Sequence, residues 1–268
     1  MIEQRTLEWK KLRIGCVTAS EFHNLMKDSK QELPLTPEDI AQLKADYEKF
    51  MAENPKSRKQ LKIPETKKVV VPFSDASYTY LNRKIMERYI PREGGTLDEY
   101  IEMRDVQNRA MQYGTDMEDV ARQRYADDMG YEVLTVEYIP IKGYEGFAGA
   151  SADGIIRGSH DGFGGIEIKN PFYIEHHLDN LLLKTPQDLL ELHPDYYWQI
   201  RLCMLAWDLD WYDFVSFCPY ISHSKQLKVL RVYRDKDIDN EIYHRLDLAR
   251  EYMRQKIDEI NNAQLIVK

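Results

Sequence analysis

Gly164-Gly165-Ile166-Glu167-Ile168-Lys169 alternates apolar and polar residues, the period of a strand with one buried face. Side chains two apart on a strand share a face. Glu167 and Lys169 therefore point together, away from Ile166 and Ile168. Nine residues before this run the chain reads Gly149-Ala150-Ser151-Ala152-Asp153-Gly154. A hairpin through the linking residues would bring Asp153 alongside, so that two carboxylates and one amine converge. Such a group can hold a hard divalent cation and stabilise negative charge on phosphorus. Taken alone the same residues have an ordinary reading. Asp-Gly is a common turn, and Glu-x-Lys on a strand is often a solvated charge pair.

The elements around the triplet narrow the choice. Thr36-Pro37-Glu38-Asp39 starts a helix to about Glu53, with a cap, a first-turn proline and acids at the positive dipole end. Ser74-Asp75 begins another, with Tyr78, Leu81, Ile85 and Tyr89 at helical spacing. Thr18 or Ser20 is placed to cap a short helix through Met26. Thr115-Asp116-Met117-Glu118 reads as a capping box; its helix carries Val120, Tyr125 and Met129 and stops at Gly130. A strand is expected over Tyr131 to Ile139, and a second over Phe147 to Ser151 with an extension toward Ile156. The strand bearing Glu167 follows. Helices are expected over Tyr173 to Leu183 and Asp195 to Trp207, and strands over Trp211 to Phe217 and Leu227 to Tyr233. A closing helix has Ile238, Ile242, Leu246, Leu248, Tyr252 and Ile257 as its apolar stripe. The central order, from about Thr115 to Phe217, is helix, strand, strand, strand, helix, strand. That is an α/β arrangement with a mixed central sheet flanked by helices.

Size and charge bound the function. The 268 residues, 43% hydrophobic and 31% charged, suit a globular protein read as one domain over 1–268. No apolar run approaches the roughly 18 residues of a membrane span, and Met1-Ile2-Glu3-Gln4-Arg5 lacks the profile of a signal peptide. Cys16, Cys203 and Cys218 are scattered and odd in number, as for free thiols in a reducing cytoplasm; they do not suit an iron–sulfur cluster. Net charge is −8, so any nucleic-acid contact must be confined to a local basic surface. Residues 55–68 hold six Lys or Arg and one acid, Glu65. They read either as a solvated linker or as a phosphate-contacting loop. His176-His177 point about 100° apart on a helix and make a poor metal pair. His23 reads as a packed or capping histidine. Tyr196, Tyr197, Trp198, Trp207, Trp211 and Tyr212 read mostly as core, with base stacking as the alternative for one of them.

Four motifs in sequence order resemble those of the phage lambda exonuclease and YqaJ-type viral recombinase family, within the PD-(D/E)XK nuclease superfamily. Trp9-Lys10-Lys11-Leu12-Arg13-Ile14-Gly15 with Thr18-Ala19-Ser20-Glu21-Phe22-His23-Asn24 resembles the family's N-terminal motif. Ser151-Ala152-Asp153-Gly154 resembles its Ser-Pro-Asp-Gly. Glu167-Ile168-Lys169-Asn170-Pro171-Phe172 resembles its Glu-Leu-Lys-Cys-Pro-Phe. Tyr196-Tyr197-Trp198-Gln199 resembles a helix that carries a glutamine into the site. Residues 27–110 match less well and are longer than in the family, and no strand-splitting wedge residue is assigned there. The family's further upstream acid aligns near Gly143, with Glu145 close by.

The resemblance implies a metal-dependent 5′→3′ exonuclease that degrades one strand of double-stranded DNA from its ends. It would release 5′-mononucleotides and leave a 3′ overhang for recombination by strand annealing. Asp153, Glu167 and the carbonyl of Ile168 would hold Mg²⁺, with Mn²⁺ as a substitute. Glu118 is the further metal-site carboxylate, its other reading being the partner of Thr115 in the capping box. Lys169 would orient water or neutralise charge, and Gln199 would position them. Arg13, Ser20 and Ser151 would grip the terminal 5′-phosphate. A ring-shaped homotrimer, a single-strand annealing protein as partner, and a phage or prophage gene expressed in a bacterial cytoplasm are implied in the same way. The competing readings are a PD-(D/E)XK endonuclease, which would cut closed circular duplex, and a non-catalytic DNA-binding assembly protein.

Overall fold

The computed structural model describes residues 4–105, 108–159 and 162–263; Met1–Glu3, which belong to the N-terminal expectation, lie outside them. The first elements are helix α1 (Leu7–Arg13), strand β1 (Val17–Thr18), and a 3₁₀ turn over Ala19–Leu25 that replaces the short helix expected after Thr18 and carries no side-chain cap. Strand β2 (Ser29–Pro34), helix α2 (Pro37–Glu53) and strand β3 (Thr66–Val71) then form an arm. Thr36 caps α2 reciprocally with Asp39, as its sequence requires. β2 and β3 pair antiparallel in register from Ser29↔Val71 to Pro34↔Thr66. The last residues of the basic 55–68 stretch are thus strand and not linker. They were not legible as such because both faces are largely exposed and Lys67-Lys68 breaks the apolar alternation.

Helices α3 (Asp75–Glu87), α4 (Thr96–Arg104), α5 (Arg109–Asp116) and α6 (Glu118–Met129) lead into the core. The capping box expected at Thr115 does not form. Thr115 sits inside α5 and its hydroxyl donates to the Met111 carbonyl at 3.1 Å, while α6 starts after Met117 without a side-chain cap. A hydroxyl within a helix finds a carbonyl of the preceding turn more easily than an N–H of the next helix.

Strands β4 (Val133–Leu134), β5 (Ile139–Pro140), β6 (Ala148–Ala150), β7 (Gly154–Ser159) and β8 (Gly162–Lys169) follow. The strand expected over 131–139 is therefore two short pieces in different sheets. β4 pairs with Ile155 and Ile156, and β5 pairs with Gly149 and Ala150. The strand expected over Phe147 to Ser151 is β6, and its extension toward Ile156 is interrupted at Ser151–Asp153, where the chain leaves one sheet and enters the other. Proline at 140 lacks the N–H that a longer ladder would need.

Helices α7 (Ile174–Leu182), α8 (Pro186–Leu192) and α9 (Pro194–Trp207), strands β9 (Trp211–Phe217) and β10 (Leu227–Tyr233) and the long α10 (Lys236–Asn262) complete the chain. The larger sheet has the order β10-β9-β8-β7-β4, with only β8 and β9 parallel. Its two faces follow strand alternation. Ile166, Ile168, Trp211, Val215 and Phe217 pack with Ala121 and Tyr125 of α6. Tyr212 and Phe214 pack on the other face with Ile200 and Met204 of α9 and with Ile242, Leu246 and Met253 of α10. The smaller sheet, β1-β6-β5, brings Val17–Thr18 beside Ala148–Gly149. Close packing explains Gly164 and Gly165: a Cβ on either would stand 2.2 or 2.4 Å from the Trp211 or Tyr212 ring.

Candidate active site

β7 and β8 pair with Gly154 opposite Ile166. That register puts Asp153 beside Glu167, as the hairpin expectation required. The Asp153 carboxylate accepts from the Ile168 backbone N–H at 2.7 Å. Glu167 is 1% exposed. One of its oxygens accepts from Lys169 Nζ at 2.7 Å and from Gln199 Nε2 at 2.6 Å. Its other oxygen, Oε2, is buried with no hydrogen-bond partner. Gln199 reaches it because α9 crosses that face of the sheet. Tyr196, one turn earlier on α9, lies 4.5 Å beneath Lys169 Nζ by its ring centre and stacks on Phe214.

The electrostatics are those of a site short of positive charge. Burial pushes the Asp153 carboxyl well above its usual range, and repulsion from Glu167 and Glu118 adds to this. Glu167 is raised by burial first and by Glu118, with Lys169 offsetting part. Burial alone would lower Lys169, but the charges of Glu167 and Asp153 outweigh it and the net direction is up. An unpartnered buried carboxylate oxygen beside a second destabilised carboxylate is the chemistry that a divalent cation relieves. Oxygen donors of this kind fit Mg²⁺. Among the described residues no three His, Cys, Asp or Glu side chains form a metal cage. The residues that fit the ion are therefore Asp153 and Glu167, with Ile168 lining the cleft between them.

Glu118 lies in the same cleft but is occupied. Arg122 Nη2 donates to one oxygen at 2.6 Å and Arg5 pairs with the other. Arg122 also donates to the Asp153 carbonyl at 3.1 Å. Gln4 tethers Arg5 from behind through the carbonyls of Ala152 and Val136. Glu145 folds onto the Gly143 N–H at 3.0 Å and does not line the cleft.

The cleft, about 800 Å³, continues to Arg13, Ser20 and Ser151. Arg13 donates to Ser20 Oγ at 2.9 Å and lies 4.0 Å over the Trp9 ring, whose Nε1 donates to Ser151 Oγ at 3.0 Å. Burial lowers the Arg13 pKa against the opposing charge of Glu21; an arginine remains charged at such sites. The three residues named from sequence thus meet, with Trp9 as the plate between them.

The turn that carries Arg13 is gripped from outside. The Glu87 carboxylate accepts from the Gly15 N–H at 2.9 Å, Arg88 Nε donates to the Gly15 carbonyl at 3.0 Å, and Arg92 donates to the Ile14 carbonyl at 3.3 Å. Gly15 has φ +76°, and a Cβ there would meet Arg88 Cγ at 2.8 Å, so this position favours glycine twice over. Glu21, next to Ser20, is held by Lys84 at 3.0 Å and by Arg83.

Sequence reasoning missed Trp9 and Arg122 as site residues, although Arg122 stands at i+4 from Glu118 and had a readable signal. Arg5, Glu87 and Tyr196's place under Lys169 had none. His177 is buried between Ser216 Oγ and the Lys225 carbonyl, a packed histidine. Of the aromatic group, Tyr197, Trp211 and Tyr212 are core; Tyr196 lines the cleft.

Comparison with known proteins adds to this geometry. A family model described as the YqaJ-like viral recombinase domain matches residues 8–206. No curated relative matches the sequence. Among solved structures, an alkaline exonuclease (LHK-Exo) from Laribacter hongkongensis is similar, with TM-score 0.63, 23% identity and 96% of each chain covered. Its complex with dAMP gives TM-score 0.62 at 22% identity over 95% of this chain and 96% of that one. A phage related exonuclease from Haemophilus somnus gives TM-score 0.55 at 16% identity over 91% and 96%. The fold is that of the phage-type PD-(D/E)XK exonucleases.

Proposed function

The chain belongs to the YqaJ-like viral recombinase family, and from that premise we propose that it is a divalent-metal-dependent 5′→3′ exonuclease acting on the ends of double-stranded DNA. The observation that carries this reading is one cleft with two ends. One end holds Asp153, Glu167, Lys169 and Gln199 around an unpartnered carboxylate oxygen. The other holds Arg13 bonded to Ser20, with Trp9 joining Arg13 to Ser151. An arginine with hydroxyls beside it suits a terminal phosphate dianion, and an end-gripping subsite next to a cation site suits exonucleolytic cleavage.

Asp153, Glu167 and the Ile168 carbonyl would hold Mg²⁺, with Mn²⁺ as a substitute and Glu118 close enough to contribute charge. Bound there, the ion supplies charge relief at the phosphoryl oxygens. Lys169 places its ammonium where negative charge develops and orients the attacking water. Gln199 fixes Glu167, and Tyr196 supports Lys169 from below. Arg13, with Ser20 and Ser151, holds the 5′-phosphate so that the next phosphodiester meets Lys169. The product is a 5′-mononucleotide and the remaining strand a 3′ overhang. A ring-shaped homotrimer and a single-strand annealing partner extend this reading from the family resemblance, with the whole chain acting as one domain.

The test is digestion of linear and covalently closed duplex DNA with Mg²⁺. Release of 5′-mononucleotides from linear DNA alone, faster from 5′-phosphorylated than from 5′-hydroxyl ends, is the expected result. Cutting of the closed circle would favour an endonuclease. Absence of any cleavage with Mg²⁺ or Mn²⁺ would favour an assembly protein.

A further inference from the structure

The arm of residues 29–71 has no part in the cleft, yet its return segment concentrates positive charge. α2 has no buried residue. Its apolar side chains Leu43, Tyr47 and Phe50 instead form a groove with Leu61 of the returning segment. The Tyr47 hydroxyl donates to the Lys59 carbonyl at 3.0 Å, and Lys59 Nζ lies 4.7 Å from the Phe50 ring centre. The return is therefore tied to α2 at Lys59 and Leu61, while most of its side chains stay exposed. Its ten residues from Pro55 to Pro64 hold Lys56, Arg58, Lys59 and Lys62 and no acid, a local charge of +4 in a chain of −8. All four are exposed. None of them makes an ion pair with a carboxylate among the described residues, whereas the neighbouring Lys67 and Lys68 pair with Asp39 and Glu32.

Four exposed cations on one loop, none in a direct ion pair among the described residues, ask for a polyanion. The arm's root says which. β2 begins nine residues after Ser20 of the cleft. Arg245 of α10 clamps the root on both sides, through Asp28 at 2.6 Å and through the Pro72 carbonyl. The 17 residues of α2 extend about 25 Å at roughly 1.5 Å per residue. That length matches about seven base pairs of duplex, whose charges recur every ~1.7 Å along the axis. We propose that residues 55–64 are a second duplex-DNA contact, in which Lys56, Arg58, Lys59 and Lys62 grip backbone phosphates of the DNA whose end lies in the cleft. The inference rests on the nuclease reading and adds the holding surface that the acidic body lacks.

The test compares the full chain with the quadruple variant Lys56→Gln, Arg58→Gln, Lys59→Gln, Lys62→Gln. Binding to a fluorescent duplex is measured without divalent metal across a salt series, and cleavage of 5′-phosphorylated ends is measured with Mg²⁺. The slope of log affinity against log salt should fall by about 0.9 for each phosphate that the variant no longer neutralises, up to about 3.6 in all. The weakening should be equal for unrelated DNA sequences. Cleavage at saturating DNA should stay as in the parent, because none of the four lies in the cleft. Unchanged slope and affinity in the variant, with the parent still cleaving linear DNA, would overturn the arm's role and leave the nuclease reading standing. A parent chain that binds no duplex at all overturns both.

Discussion

Lys169 keeps its proton against burial because Glu167 and Asp153 face it, and part of the burial cost of those two carboxylates is offset by Lys169, Gln199 and a backbone N–H. Each member is thus worth more than its own contact, and removal of one unbalances the others. Lys169→Ala should lower cleavage by roughly 10²-fold or more while leaving the circular dichroism spectrum of the parent. Asp153→Ala should abolish it on the same terms; full activity in either variant would remove the site. Gln199→Ala takes one support from Glu167 and should cost about 10- to 100-fold in metal affinity or rate, the range for groups that orient a ligand. A titration calorimeter with Mn²⁺ reads this without turnover. Arg13→Ala should level the rates on 5′-phosphorylated and 5′-hydroxyl ends, and an unchanged ratio would take Arg13 out of the subsite.

Among the elements, α3 matters for what it holds rather than what it touches in the cleft. Its Glu87 and the Arg88 that follows grip Gly15 from both sides of the peptide, and so set the direction from which Arg13 enters. Glu87→Gln keeps the shape and offers a weaker acceptor. It should reduce the preference for 5′-phosphorylated ends by about 10-fold, with cleavage of 5′-hydroxyl ends unaltered. An equal fall on both kinds of end would mean a general loss of structure. On α2 the Asp39 carboxylate takes bonds from Lys67 and Thr36 and is held down at about 2 against an ordinary 3.8. A carboxylate depressed in the fold stabilises it fully above the unfolded value. That contribution fades as pH falls from about 4 to about 2. The Asp39 carboxyl carbon, followed by NMR, should titrate near 2; a midpoint near 4 would show that the cap and the arm's tie to Lys67 do not form.

At the scale of the whole molecule, the central strands β8 and β9 divide the labour between two faces. On the α6 face Asp213 is fully buried and accepts from both Arg231, at 2.9 and 3.0 Å, and the Tyr125 hydroxyl at 2.7 Å. Asp213→Ala would remove the buried acceptor of two Arg231 bonds and of the Tyr125 hydroxyl, and should cost about 3–5 kcal/mol in chemical denaturation. The face toward α9 spends its polar groups on the cleft. Strand alternation assigns these roles: Ile166 and Ile168 seal one side, Glu167 and Lys169 open onto the other. With a net charge of −8, the nuclease reading would leave substrate attraction to a few local cations, in the cleft and on the arm.

What could be read from the chain alone was whatever repeats over a few residues. The period of two over 164–169 set the shared face of Glu167 and Lys169. Ser74 and Thr36 marked helix starts, and the strands over 211–217 and 227–233 followed from dense β-branched and aromatic residues. The strand expected over 131–139 failed because its two ends take partners in different sheets, a choice made by Ile155 and Ala150 and not by the segment itself. The arm's ribbon was hidden because an exposed strand carries no apolar period, and its partner lies beyond a whole helix. Likewise Thr115 looked like a cap until α5 formed around it. Sequence by itself determined that Glu167 and Lys169 share one face of their strand, since that follows from covalent spacing. Tertiary structure alone decided that Arg5 pairs with Glu118, that Trp9 joins Arg13 to Ser151, and that Glu87 braces Gly15. These contacts close long loops of chain, and only the packed whole repays the entropy of closing them.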